Sequence, residues 1–161
     1  MALIVAPAAG AESYISVANA DAYHAARGNA AWALLTLEAK EQALRKATDY
    51  MGAYSGRWKG ERVSSGQALD WPRAGVVVDG YEVDDETVPT PVANACALLA
   101  LKASTAELAP DLGPQKQSVS VGPISTTYAS GARQTLKFQA VDNMLAPYLG
   151  GGANNVMLVR A

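Results

Sequence analysis

The side chains able to do chemistry are few and lie far apart. His24 is the single histidine and Cys96 the single cysteine of the 161-residue chain. A general base needs a hydroxyl, thiol or carboxylate partner within reach, and no such motif surrounds His24, so it is expected to be a packed or surface histidine. Cys96 lies in an apolar run with no cation or histidine to lower its thiol pKa, which predicts a small hydrophobe rather than a nucleophile. A lone cysteine excludes an intrachain disulfide, and no Cys/His cluster has metal-ligand spacing. Asp79, Asp84, Asp85 and Glu86 superficially suggest a calcium loop. The alternating ligands, central glycine and terminal glutamate of an EF-hand are out of register there. The expectation is no catalysis, no metal and no cofactor.

Recognition chemistry concentrates instead in residues 57–76, RWKGERVSSGQALDWPRAGV, which hold Trp58 and Trp71 together with Arg57, Lys59, Arg62 and Arg73. Two readings compete. Rings interleaved with cations are what base stacking plus phosphate contact would need. The other reading buries both indoles and pairs the cations with Asp49, Glu61 or Asp70. Gly56, Gly60, Gly66 and Pro72 punctuate the stretch against continuous helix, and each indole carries enough apolar surface to need a partner. The loop is expected to fold back on its domain and serve a structural or intersubunit purpose.

Helices must position it. Ser16 caps a short helix, VANADAYHAAR, that exits at Gly28 and leads through a connection to Trp32. Thr36 is an N-cap for the strongest amphipathic helix, 37–55, with Leu44, Ala47, Met51 and Tyr54 at three- and four-residue steps. Glu38, Lys40, Glu41, Arg45, Lys46 and Asp49 form its charged face, either solvated or turned to a neighbouring subunit. Thr90 as N-cap and Pro91 at N1 open a helix over 91–107 that is apolar nearly all round, the pattern of burial on several faces. Val119, Val121, Ile124, Thr126 and Tyr128 then alternate about Gly122-Pro123, a β-hairpin spanning about 117–130. Residues 138–149 make a last helix with Val141, Met144, Leu145 and Tyr148 on one side, distorted near Pro147.

The fold class is therefore mainly α: a compact bundle of about four helices with a long Trp-containing loop, one β-hairpin and an extended C-terminal tail. One domain, 1–149 with an N-terminal arm at 1–12, precedes residues 150–161, a glycine-hinged apolar tail containing Asn155, Val156, Met157, Leu158, Val159 and Arg160. Such a peptide could dock by adding backbone hydrogen bonds to a partner's strand. The N-terminal MALIVAPAAG lacks a basic region and is too short for a signal or a span, and no membrane association is expected. A formal charge of -2 argues against a domain devoted to wrapping nucleic acid.

The stretches ALRKATDYMGAYSGRWKGERVSSGQALDWPRAGV, VPTPVANACALLAL and SVGPISTTYASGA, in that order before a Gly-rich tail, resemble the head-to-tail adaptor, or head completion, proteins of long-tailed bacteriophages, many of which carry a DnaT-like single-stranded-DNA-binding label. The most specific part combines Trp58-Lys59-Gly60, Gln67-Ala68-Leu69 and Trp71-Pro72-Arg73. The resemblance implies a dodecameric ring in the virion neck, made in the bacterial host cytoplasm, between the portal protein and a tail-side stopper, tail terminator or tail-tube protein. Double-stranded DNA would pass through the lumen during packaging without sequence-specific contact. It also implies that the C-terminal segment reaches the portal, and the hairpin is a candidate intersubunit contact. The alternative is a single-stranded-DNA-binding, DnaT-like replication accessory protein.

Overall fold

The computed structural model describes residues 2–111, 118–121, 124–127 and 135–150. Five helices dominate: α1 (Val17–Ala25), α2 (Ala30–Ala33), α3 (Leu37–Met51), α4 (Thr90–Ala103) and α5 (Gln139–Leu145). Between and after them lie paired strands β1 (Glu61–Arg62) with β2 (Arg73–Ala74), β3 (Val77–Val78) with β4 (Tyr81–Glu82), and β5 (Ser118–Val121) with β6 (Ile124–Thr127), all antiparallel.

The expected caps hold α1 and α3. Ser16 Oγ accepts from the Asn19 N–H at 3.1 Å and Thr36 Oγ1 from the Ala39 N–H at 3.2 Å, each satisfying a donor that the first helical turn leaves unpaired. α4 is the centre of the core, as its composition predicts: Val92, Ala95, Cys96, Ala97, Leu99 and Ala100 are wholly buried. Small alanines let α3 approach it closely through Ala43, Leu44, Ala47 and Met51, while Val141 and Leu145 of α5 close another side.

Several boundaries differ from expectation. Trp32 lies not in a connection but in α2, a single turn that sets its indole against His24 at 4.6 Å between ring centroids. Thr90 is already helical and Pro89 precedes it as the cap, so Pro91 stands one position further in, where a missing N–H is still harmless. That helix ends at Ala103 rather than 107, because the Ser104 and Thr105 hydroxyls bond back to Leu101 and Lys102 carbonyls and compete with the ladder. The last helix is two pieces, α5 and a 3-10 turn at Ala146–Tyr148, as Pro147 cannot supply an N–H.

The charged face of α3 is not simply solvated. Lys40 pairs with Asp21 at 2.9 Å, and Arg45 sends Nε and Nη2 to Glu12 Oε2 at 3.0 and 2.9 Å, tying the N-terminal arm to the bundle. The arm folds on itself as well, with Ala6 N–H donating to Ser13 O and Glu12 N–H to Ile4 O. In the hairpin, Val119 stands opposite Thr126 and Val121 opposite Ile124, while Tyr128 is outside the described residues. Residues 151–161, and with them the docking segment 155–160, also lie outside. No described helix is long and apolar enough to cross a membrane.

Candidate functional site

The tryptophan loop is closed rather than open. Trp58 is 6% exposed and Trp71 1%. Their rings meet edge-on at 5.6 Å, Trp71 meets Tyr148 edge-on at 5.7 Å, and Trp58 lies 5.9 Å from Tyr54. The four rings therefore form one chain of contacts running from the end of α3 to the turn after α5. Edge-to-face pairs of this kind add about 0.5 to 1.5 kcal/mol each beyond area burial.

The polar residues of the loop are spent on the loop itself. Asp70 receives the Trp58 indole N–H at 3.2 Å and the Ser55 hydroxyl, and pairs with Arg62 at 3.5 Å, while its own N–H donates to the Tyr14 hydroxyl at 3.2 Å. Arg73 projects across from β2 and donates to the carbonyls of Lys59 (2.7 Å), Gly60 (2.6 Å) and Asp70 (3.3 Å). Gln67 Nε2 donates to Leu69 O at 2.8 Å and Pro72 O at 3.0 Å, and its Oε1 accepts the Ser64 N–H at 3.1 Å. Gly60 has φ +65°, and a Cβ there would collide with the Ala74 carbonyl across the β1–β2 ladder. The two outer cations lie at the surface and still touch the chain: Arg57 lies 5.7 Å over the Tyr54 ring and Lys59 Nζ reaches Val77 O at 3.4 Å.

Trp58, Lys59, Gly60, Gln67, Trp71, Pro72 and Arg73 are thus brought together, the three short motifs holding one another. Asp70, named among possible ion partners, proves to be the hub. Tyr54, Ser55, Tyr14 and Tyr148 also belong to the assembly. Tyr148 could have been found only by knowing that the chain returns here.

That return corrects one expectation. Gly150 is not the start of a free hinge: its N–H donates to Arg57 O at 2.7 Å, Lys59 N–H donates to Tyr148 O at 3.0 Å, and Leu149 bridges Trp58 antiparallel. One donor is left over. The Trp71 indole N–H is buried without an acceptor among the described residues, a cost of about 1 to 3 kcal/mol that the ring packing around it must exceed.

The other candidate groups are engaged within the chain. His24 is 1% exposed, its Nε2 at 3.0 Å from Ala97 O and its Nδ1 at 3.0 Å from Asn29 Nδ2. Neutral imidazole satisfies both contacts, donating to the carbonyl and accepting from the amide, and burial holds its pKa below the ordinary value. Cys96 is packed against Thr48 Oγ1 at 3.4 Å, and burial pushes its thiol pKa up. Burial, and a hydrogen bond given to Asp142 at 2.7 Å, raise the Tyr54 phenol well above its usual value. The acidic run turns on itself, Asp84 accepting from the Glu86 N–H and the Thr87 hydroxyl. Among the described residues no group of three or more His, Cys, Asp or Glu could hold a metal ion.

Fold and loop together define a small helical domain whose ring-rich segment is an internal clamp. The chain belongs to the family described as "Putative DnaT-like ssDNA binding protein", whose model matches residues 1–161. No curated protein and no solved structure matches it.

Proposed function

We propose that this chain is a non-catalytic assembly subunit, a head-to-tail adaptor of a tailed bacteriophage. It forms a ring, dodecameric when complete, that connects the portal of the DNA-filled capsid to the tail or stopper. The observation that carries this reading is the closure of the tryptophan loop: both indoles are buried and the cations beside them already have partners within the chain. A segment built in this way offers a folded surface to another protein, not an open row of rings to bases. The resemblance of the 43–76, 88–101 and 120–132 stretches supplies the particular assembly. A net charge of -2 suits a ring through which duplex must slide, since a strongly basic lumen would retain phosphates through counterion release. Residues 155–160 then serve as the portal-docking peptide and the 118–127 hairpin as a contact between subunits.

The second reading, binding of single-stranded DNA, is favoured by the description of the family. It needs accessible aromatic faces beside free cations. Among the described residues the exposed aromatic is Tyr81, and it stands among Asp79, Glu82, Asp84, Asp85 and Glu86, where phosphates are repelled.

Two measurements on the full chain separate the readings. Purified portal should capture the protein, and a fluorescently labelled single-stranded oligonucleotide should show nothing tighter than the roughly 1 to 100 µM of non-specific phosphate contact at physiological salt. Tight, saturable oligonucleotide binding without portal capture would sink the adaptor reading and leave the DNA-binding one.

A further inference from the structure

Between α1, the single turn α2 and the start of α3 lies a recess of about 410 Å³ that shares no residue with the tryptophan clamp. Ala25, Ala30, Ala33 and the Trp32 indole give it apolar walls, and Asp21 and Lys40 bring one charge of each sign. Both charges are only half spent. Asp21 Oδ1 accepts the Trp32 indole N–H at 2.6 Å and the Lys40 ammonium at 2.9 Å, which leaves Oδ2 without a donor among the described residues. The Lys40 side chain is 13% exposed, yet Asp21 is the one acceptor that its three N–H groups meet among the described residues. Asn29, also on the wall, donates from Nδ2 to His24 Nδ1 at 3.0 Å and keeps its Oδ1 unused among the described residues.

A largely buried ion pair offsets its desolvation only when the remaining protons and lone pairs are bonded as well. This one is open to a ligand on the recess side. A mostly apolar pocket of such a size, with a few converging polar groups, is the ordinary form of a small-molecule site. The charges narrow the class further. A lone anion drawn to Lys40 would meet the Asp21 carboxylate, and a lone cation drawn to Asp21 would meet the Lys40 ammonium. A molecule carrying both charges on neighbouring atoms, laid antiparallel on the pair, gains two charge-assisted contacts and no like-charge one.

We propose that the recess binds an α-amino acid as its zwitterion, with the carboxylate on the Lys40 ammonium, the ammonium on Asp21 Oδ2, and a short apolar side chain against Ala25, Ala30 and Ala33. The proposal does not depend on the adaptor reading, which portal capture judges separately.

The test is a titration of the full chain carrying isotope-labelled tryptophan, followed by nuclear magnetic resonance. The Trp32 indole N–H lies on the carboxylate of the site, so its resonance, identified by its displacement in Asp21→Asn, reports occupancy. L-Valine should move it saturably at roughly millimolar concentration, the strength so small a ligand can reach. N-acetyl-L-valine, which lacks the ammonium, and L-valinamide, which lacks the carboxylate, should each bind about ten-fold or more weakly. Asp21→Asn keeps an acceptor for the indole; it should weaken L-valine about ten-fold and leave N-acetyl-L-valine no weaker. Ala33→Leu fills the wall without touching the ion pair and should abolish the response. No saturable shift with L-alanine, L-valine or L-leucine at about ten times the millimolar range would overturn the proposal. Equal affinity for L-valine and its two capped analogues would overturn it as well, because the charges would not be read, and so would undiminished binding by Ala33→Leu. Should Asp21→Asn fail to fold, the comparison of the three ligands on the parent chain still decides.

Discussion

At the scale of single residues, burial decides which side chains are available for chemistry and which are committed to packing. His24 has its folded-state pKa below the ordinary histidine value, so the unfolded chain takes up the proton first. Stability is therefore full above about pH 6.5 and falls as pH drops from there toward the lowered folded pKa. Urea midpoints measured between pH 7 and 5 should decline in the parent chain, and the decline should be shallower in His24→Gln, which starts less stable because it loses the stack on Trp32. Equal slopes would show that His24 is not the titrating group. The indoles give a second prediction. Truncating Trp58 or Trp71 to Ala should cost about 3 to 5 kcal/mol, as expected for a large side chain removed from a packed site. Denaturant titration reads this directly, and variants of undiminished stability would mean that the rings are not core anchors.

Among elements, the β1–β2 ladder is the most dependent on particular side chains, since two residue pairs cannot sustain themselves. Arg73→Gln removes charge-assisted bonds to three carbonyls and should cost about 2 to 3 kcal/mol. Gly60→Ala should cost about 1 to 3 kcal/mol from backbone strain, plus the collision with Ala74. Hydrogen exchange should localise both effects to residues 57–76; protection unchanged there would contradict the clamp. These dependencies also explain what the sequence disclosed. The 3.6-residue period exposed α3 and α4, and Ser16 and Thr36 announced their caps, because those signals are local. β1 and β2 left no trace, as each is only two residues long and is held by Arg73 and Gly60 across a distance in sequence, whereas Asp79-Gly80, both at positive φ, is a local hairpin signal for β3 and β4. α2 is one turn, too short for a period to register. The packing of Tyr148 on Trp71 joins residues far apart in the chain, and nothing near either of them signals it.

For the whole molecule, residues 148–150 are fastened to the tryptophan loop by hydrogen bonds and a ring contact. Deleting 151–161 should leave the melting temperature nearly unchanged and abolish portal capture. Deleting from 148 onward should cost about 3 kcal/mol, since an aromatic contact of the core is removed with it. Calorimetry distinguishes the two truncations, and a large loss from the shorter one would mean that the tail completes the core. The same exit also fixes how the molecule bears a load. Lys59 to Tyr148 and Gly150 to Arg57 are antiparallel hydrogen bonds, lying across the strand direction. A pull on the chain beyond Gly150, along that strand, strains both at once in shear and passes to the Trp58–Trp71 stack before it reaches α5. An optical-trap trace drawn from the C-terminus should accordingly show one abrupt rupture at high force, not a gradual peeling of the last helix.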